Sequence, residues 1–411
     1  MTNFGTLLSY EQPTKYIVND TNYKPTYKTP VLTAGKSFIL GYTNETDNIF
    51  DDLPVIIFDD FTTESKFVDF PFKVKSSAMK ILHINQDLVL PKYAFYLMQA
   101  TEIDHDNHQR YWISTYSQEI ISLPPLSEQI KIIETVENLF DLTQSVETNS
   151  QNLKNSIKTT KSKILDLAIR GKLVPQDQND ESASVLLERI RAEKEELIKQ
   201  GKIKRDKKES VIFKGDDNSY YRLTADNKSN IIDIPFNIPD NWEWCNLSMI
   251  GSTNIGLTYK PVDIVADGTM VLRSSNIING KIDLSDLVRV NSTIRENQYI
   301  QENDILICAR NGSKALVGKC AIYENANEKA SFGAFMAVYR SRFFKYVYYF
   351  LNSEFFRNTF SNDDSKQINQ LTQDMIKNTT IPLPPLAEQK RIVEAIETAF
   401  AQLDEILNSI S

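Results

Sequence analysis

Between Leu126 and Leu167, apolar residues recur mostly three, four or seven positions apart: Leu126, Ile130, Ile133, Val136, Phe140, Val146, Leu153, Ile157, Ile164 and Leu167. That spacing puts them on one face of an α-helix, and no Pro or Gly interrupts the run before Gly171. The pattern predicts a helix of about 42 residues, roughly 63 Å long at ~1.5 Å per residue, longer than a globular core requires. A second stripe of Ile392, Ile396, Phe400, Leu403 and Leu407 predicts a helix from Ala387 to Ile410. Either stripe alone would suit ordinary core packing or a homodimeric coiled coil; two of similar spacing imply antiparallel pairing.

Both helices start alike. Leu123–Glu134 reads LPPLSEQIKIIE and Leu383–Glu394 reads LPPLAEQKRIVE, eight identities in twelve at an offset of 260 residues. The match continues through Ile121 and Ile381, Glu137 and Glu397, and Phe140 and Phe400. The proline pair forces extended backbone before the helix, and Glu128 and Glu388 fall in the first turn, where a carboxylate meets the positive end of the helix dipole. Upstream of each start lies a short aromatic helix candidate, KYAFYLM at 92–98 and KYVYYFL at 345–351. Each of these follows a buried-strand candidate, Val55–Phe58 in one half and Asp304–Ile307 in the other. The order of parts is repeated, which predicts a duplicated architecture. Between the halves come a turn at Gly171–Pro175, a charged helix near Ser184–Gln200 and a polar stretch to Asn230, read together as a connector.

Composition narrows the function. An apolar fraction of 41% with 24% charged residues over 411 positions is that of a soluble globular protein of two or three domains. Net charge is −8, against a simple nucleic-acid binder, but Lys154–Lys208 holds 15 basic and 9 acidic residues, so a basic surplus sits mid-chain. Cys245, Cys308 and Cys320 make no Cys-x-x-Cys pair, which leaves neither a disulfide framework nor a zinc ribbon and fits a reducing cytoplasm. No run approaches the ~18 apolar residues of a membrane helix. The segment Gly312–Cys320 fails as a phosphate-binding loop, because five residues separate its glycines and Cys320 stands where a hydroxyl should ligate magnesium. It reads instead as strand, loop and strand. His105 and His108 have metal-like spacing but no partnering Cys or Glu motif, so no metal site is assigned. No cofactor fingerprint or methyltransferase motif is present, and no catalytic residue is assigned.

The duplicated helix starts, the repeat near 260 residues, the RGKLVPQ turn at Arg170–Gln176 and the terminal helix together resemble a Type I restriction-modification specificity subunit over essentially the whole chain. The resemblance implies an α+β fold: two β-rich target-recognition domains in pseudo-twofold arrangement, separated by long antiparallel paired helices that form a coiled-coil-like spacer. The implied parts are a first recognition domain (1–122), a first spacer helix region (123–172), a connector with a charged helix (173–233), a second recognition domain (234–380) and a second spacer region (381–411). The chain departs from the family in its first domain, which begins without the opening that Asn237–Trp242 gives the second.

In that family each domain reads one half of a split double-stranded DNA target. Two methyltransferase subunits bind the helical parts, and restriction subunits with ATP-driven translocation join them. The chain is then a non-catalytic cytoplasmic subunit without a cofactor of its own, S-adenosylmethionine, ATP and Mg being expected on the partners. Base contacts follow from chemistry, since Arg suits guanine, Asn suits adenine and Asp accepts from cytosine. The candidates are Lys36, Ser37, Tyr42, Asp59, Asp60, Thr62 and Lys66 in the first domain, and Arg273, Ser274, Asn276, Arg310, Asn311, Ser313 and Lys314 in the second. Asp59 and Asp60 suit a turn cap better than a base contact. Candidate methyltransferase contacts are Leu126, Glu128, Gln129, Leu386, Glu388 and Gln389. The competing readings are the recognition half of a fused restriction-methylation enzyme and a helical protein-binding scaffold.

Overall fold

A computed structural model describes the chain except residues 36, 104–109, 207–209, 225, 227, 325–326, 362–369 and 411. It divides into two units, Met1–Asn149 and Ser150–Ser411.

Unit 1 is built on the strand Val55–Asp59, paired antiparallel with Ser65–Val68 on one side and with Met79–Ile84 on the other. Leu8–Glu11 adds beyond Met79–Ile84. Alternate residues of the central strand enter two cores. Ile56 and Phe58 pack with Leu82 against Tyr93, Ala94 and Met98 of helix α1 (Pro91–Gln99), while Val55 and Ile57 pack with Leu32, Val74, Phe50 and Phe72. Burial on both faces explains why this strand is uninterruptedly apolar in sequence rather than alternating. A second sheet orders Ile39–Thr43, Thr29–Leu32 and Lys73–Val74, the last pairing being parallel.

Helix α2 runs from Leu126 to Ile169, 44 residues, close to the length that its apolar stripe predicts. Its early residues Ile132 and Ile133 pack on the α1 core. It ends at Gly171, whose φ of +67° forms a left-handed cap in which Lys172 N–H donates to Leu167 O at 2.9 Å and Gly171 N–H to Ala168 O at 3.2 Å. A Cβ there would lie 2.4 Å from Pro239 Cγ, so packing and backbone both demand glycine.

In unit 2, α3 (Ala183–Lys199) follows, then a three-stranded antiparallel meander of Ser210–Lys214, Tyr220–Thr224 and Ser229–Ile232. The sequence reads as polar here because the meander buries little; Ile212 is buried while Phe213 and Ile231 stay exposed. The main sheet orders Ser252–Ile255, Met336–Arg340, Ile305–Cys308 and Cys320–Ile322, all antiparallel. Residues 305–322 are thus strand, loop and strand. Helix α4 (Phe344–Leu351) packs on this sheet through Tyr346, Val347 and Phe350 in the core that holds Ile305 and Ile307, and helix α5 (Leu386–Ser409) joins the same core. A second sheet contains Val288–Val290, Ile264–Leu272, Ala330–Phe332 and Tyr299–Ile300.

The duplication is topological. In each main sheet the first strand in sequence borders the last, the last borders the second, and the third closes the far edge. In each second sheet one strand, Thr29–Leu32 or Ile264–Leu272, makes one antiparallel and one parallel pairing. Side-chain contacts repeat too. Lys92 pairs with Glu137 and Lys345 with Glu397; Tyr96 meets Phe140 and Tyr349 meets Phe400, both at 6.0 Å between ring centroids.

Within unit 2 the end of α2 runs antiparallel to α5. Lys161 reaches Asp404 at 2.5 Å and lies over the Phe400 ring, Leu165, Ala168 and Ile169 share a core with Ile392 and Ile396, and beyond the helix Gln176 meets Glu388. Among the described residues no helix is long and apolar enough to cross a membrane.

Candidate nucleic-acid interface

In unit 2 several predicted residues gather at one concavity of about 520 Å3, whose walls include Tyr259, Ile264, Arg273, Ser274 and Phe335. The loops that bring them together leave the ends of the two sheets. Arg310 follows the central strand Ile305–Cys308; its N–H donates to Phe335 O at 2.9 Å, and its guanidinium lies 5.4 Å from the centre of the Phe335 ring. Asn311 Nδ2 donates to Ser274 Oγ at 3.3 Å, and Asn311 Oδ1 accepts from Ser313 N–H at 2.9 Å. Ser313 and Lys314 are exposed on the same loop. Arg310, Asn311, Ser274 and Arg273 are therefore neighbours across two loops separated by more than thirty positions in sequence.

Two members of this set are engaged within the protein. Asn276 is buried: its Nδ2 donates to Asp283 O and Asp286 O at 3.0 and 2.8 Å, and its Oδ1 accepts from Arg273 N–H at 2.9 Å. An amide with both ends committed to irregular backbone holds the loop and does not reach a base. Arg273 pairs with Asp286 at 2.7 Å, so a DNA contact from it requires exchange of that exposed carboxylate for another acceptor.

The unit 1 candidates are split between two hairpins of different sheets. Ser37 is exposed, and Tyr42 lines a concavity of about 440 Å3 with Lys28, Ile39 and Phe70; Lys36 lies outside the described residues. On the other hairpin, Asp59 caps the turn after the central strand, its Oδ1 accepting from Phe61 and Thr62 N–H at 2.9 and 3.0 Å. Thr62 Oγ1 accepts from Glu64 N–H, and Lys66 pairs loosely with Glu64 at 3.6 Å. Asp60 is corrected outright. It is 3% exposed, ion-paired to the buried Lys80 at 3.1 Å and accepts the Trp112 N–H at 2.9 Å, so it belongs to the core.

The helix starts separate likewise. Leu126, Leu386 and Glu128 are exposed. Gln129 and Gln389 are buried, each donating Nε2 at 2.9 Å to a carbonyl of its own proline pair, Pro124 or Pro384, and Gln129 Oε1 also accepts the Leu90 N–H. Glu388 is buried and accepts from the Trp242 indole N–H at 2.9 Å and from Gln176 Nε2 at 2.5 Å; burial pushes its carboxyl above the usual range. Gln129, Glu388 and Gln389 therefore lock the motif internally rather than face a partner. His105 and His108 lie outside the described residues, and no group of three metal-ligating side chains occurs among those described.

Sequence reasoning passed over Tyr259 and Phe335, the aromatic walls of the unit 2 concavity. Phe335 is largely exposed despite its type, and its place in Ser331–Phe335 after a strand end was the available signal.

Residues 239–411, which include this concavity and α5, match the family described as the Type I restriction modification DNA specificity domain. The chain is 53% identical over 125 residues to the Type I restriction enzyme EcoR124I/EcoR124II specificity subunit of Escherichia coli, covering 29% of this chain and 31% of that protein. It is 30% identical over 302 residues to the EcoAI specificity subunit of Escherichia coli, covering 67% and 47%. These matches place the chain among the Type I restriction-modification specificity subunits. It spans about a third to a half of the length of these curated relatives. The fold is similar to the HsdS subunit from Thermoanaerobacter tengcongensis, with a TM-score of 0.52 and 15% identity over 100% of this chain and 91% of that one. It is also similar to a chain solved in work on complex assembly and conformational transition of the type I R-M system, with a TM-score of 0.56 and 14% identity over 98% and 93%.

Proposed function

We propose that the chain is the non-catalytic DNA-reading subunit of a Type I restriction-modification complex. It recognises a two-part duplex target through its two β-rich units and recruits two methyltransferase subunits and the restriction subunits in the cytoplasm. The observation that carries this reading is the duplication itself: one strand order and one set of helix-start contacts, each present twice. Two half-site readers on one chain add their free energies on one DNA molecule. S-adenosylmethionine, ATP and Mg belong, on this reading, to the partner subunits.

Charge supports a division of labour. Unit 1 carries 11 basic and 20 acidic residues, unit 2 carries 35 and 34, so the acidic surplus lies wholly in unit 1. Phosphate contact near unit 1 then falls largely to partner subunits. The test is co-expression with a methyltransferase subunit, mobility-shift titration over a range of salt, and methylome sequencing of the host. A modified motif in two parts with an unread spacer is expected. No salt-dependent shift would favour a protein-binding scaffold, and methylation by the purified chain alone would favour a fused enzyme.

Arg310→Ala is expected to weaken specific binding by ~1–3 kcal/mol, about 5- to 150-fold, and to relax one position of the unit 2 half-site. An equal loss on every sequence would make Arg310 a phosphate contact instead.

Deleting four residues within Ser145–Lys161 removes ~6 Å of helix, or about two base pairs at ~3.4 Å per pair. The methylated motif is expected to lose about that much spacer; an unchanged spacer removes α2 as the element that sets it.

A further inference from the structure

The unit 2 concavity is apolar where a surface that reads DNA is ordinarily polar. On its walls Phe335 is 61% and Ile264 48% exposed, with Tyr259 beside them. Phe335 sits on the tight turn between Ala330–Phe332, a strand of the second sheet, and Met336–Arg340, a strand of the main sheet. That turn is pinned from several sides. Met336 N–H donates to Gly333 O at 2.8 Å, Ala309 and Arg310 N–H both donate to Phe335 O at 2.9 Å, and a Cβ on Gly256 would lie 2.2 Å from Gly333 O. The backbone is therefore fixed, and the ring it carries stands out into solvent.

The ring has a cationic neighbour. The Arg310 guanidinium lies over it, 5.4 Å from its centre, and meets no carboxylate among the described residues, whereas Arg273 is tied to Asp286. An arginine that reads guanine lies in the plane of that base and donates to O6 and N7. A ring on the face of that guanidinium then falls at the level of the neighbouring pair, since successive pairs rise by only ~3.4 Å. Of the groups that base pairs show in the major groove, only the thymine C5-methyl is apolar. The others are donors and acceptors that an aromatic ring and an isoleucine would leave unpaired. Insertion of the ring between base pairs needs both of its faces, and one already carries the guanidinium.

Taking unit 2 as a DNA reader, as proposed above, we propose that Phe335 is a specificity-determining residue for the C5-methyl group of a thymine, in the base pair next to the guanine that Arg310 reads. The guanidinium fixes the attitude of the ring, and Ile264 and Tyr259 complete the apolar wall. Burial of one methyl group is worth about four-fold in affinity, or ~0.8 kcal/mol.

The complex of the full chain with a methyltransferase subunit is titrated by mobility shift on duplexes of its methylated motif. Each thymine of the unit 2 half-site is replaced in turn by deoxyuridine, which lacks only the methyl group. The guanine is located first, as the position whose selectivity Arg310→Ala relaxes. At the thymine beside it, deoxyuridine is expected to weaken binding about four-fold. Phe335→Ala is expected to weaken binding to the thymine duplex and to bind thymine and deoxyuridine duplexes equally, while Phe335→Leu, which keeps an apolar contact, retains a preference for thymine. Because the ring is exposed, both variants are expected to keep the helical content of the native chain. The assignment is overturned, with DNA reading left intact, by a motif without thymine beside that guanine or by equal affinity of the native chain for thymine and deoxyuridine. A thymine preference that survives Phe335→Ala, or an Arg310→Ala loss equal on every sequence, overturns it too. Absence of any salt-dependent binding by the native complex would instead overturn the DNA-reading function on which it rests.

Discussion

Asp60→Ala is expected to destabilise unit 1 by ~3–5 kcal/mol, because it leaves the Lys80 ammonium buried without its counter-charge and the Trp112 N–H without an acceptor. Lys80 is only 2% exposed, so water does not replace the lost carboxylate. Hydrogen exchange along Ile56–Phe58, on the central strand, reads this loss locally. Adding Lys80→Met removes the stranded charge and is expected to restore much of the stability, since an apolar replacement of a buried ion pair is often neutral. Thr62→Ala, on the same turn, is expected to change stability by no more than about 0.5 kcal/mol. Were Asp60→Ala to fold normally and lose only DNA affinity, the residue would return to the candidate base contacts.

Glu388 and Glu128 occupy the same place in the two copies of the motif, yet their replacement by alanine is expected to differ sharply. Glu388→Ala strands the buried Trp242 indole N–H inside unit 2, while the exposed Gln176 amide turns to water, and is expected to cost ~1–3 kcal/mol. Glu128 is exposed, and its loss is expected to cost about 0.5 kcal/mol, the worth of one helix-dipole interaction. Denaturant titration of the full chain, with exchange of the α5 amides to report unit 2, checks both. Equal effects would show that the motif does the same work in both units.

Glu388 also gives a pH signature. Burial raises its carboxyl above 4.5, so as pH rises from there the folded protein still holds a proton that the unfolded chain has released. The contribution of this group is therefore fully present at low pH and is lost as pH climbs through the raised value. Glu388→Gln carries no such proton, and unit 2 of that variant is expected to lack this part of the slope.

Much of the architecture was legible. The helix starts at Leu126 and Leu386, the aromatic helices, the apolar central strands and the Gly171 cap were all readable, because each depends on local sequence: spacing, Pro pairs, or a glycine. The central strands even correspond in register, Ile56 and Ile305 both facing the helix-covered core. The meander at 210–232 escaped, since strands that bury few side chains carry little periodic signal. Asp60 and Asn276 look like base readers for the opposite reason: the residue types that read DNA are also those that tie irregular loops together.

The sequence by itself determined that the chain is a duplicated α+β protein with a long amphipathic helix and a repeated helix-start motif. Local spacing and a 260-residue echo need no third dimension. Only the tertiary structure decided what each polar side chain does, because that depends on which distant groups folding brings alongside. Gln176 and Trp242 close over Glu388 and not over Glu128, and Ser274 meets Asn311 beside Phe335. Identical letters thus become a buried lock in one unit and an exposed surface in the other.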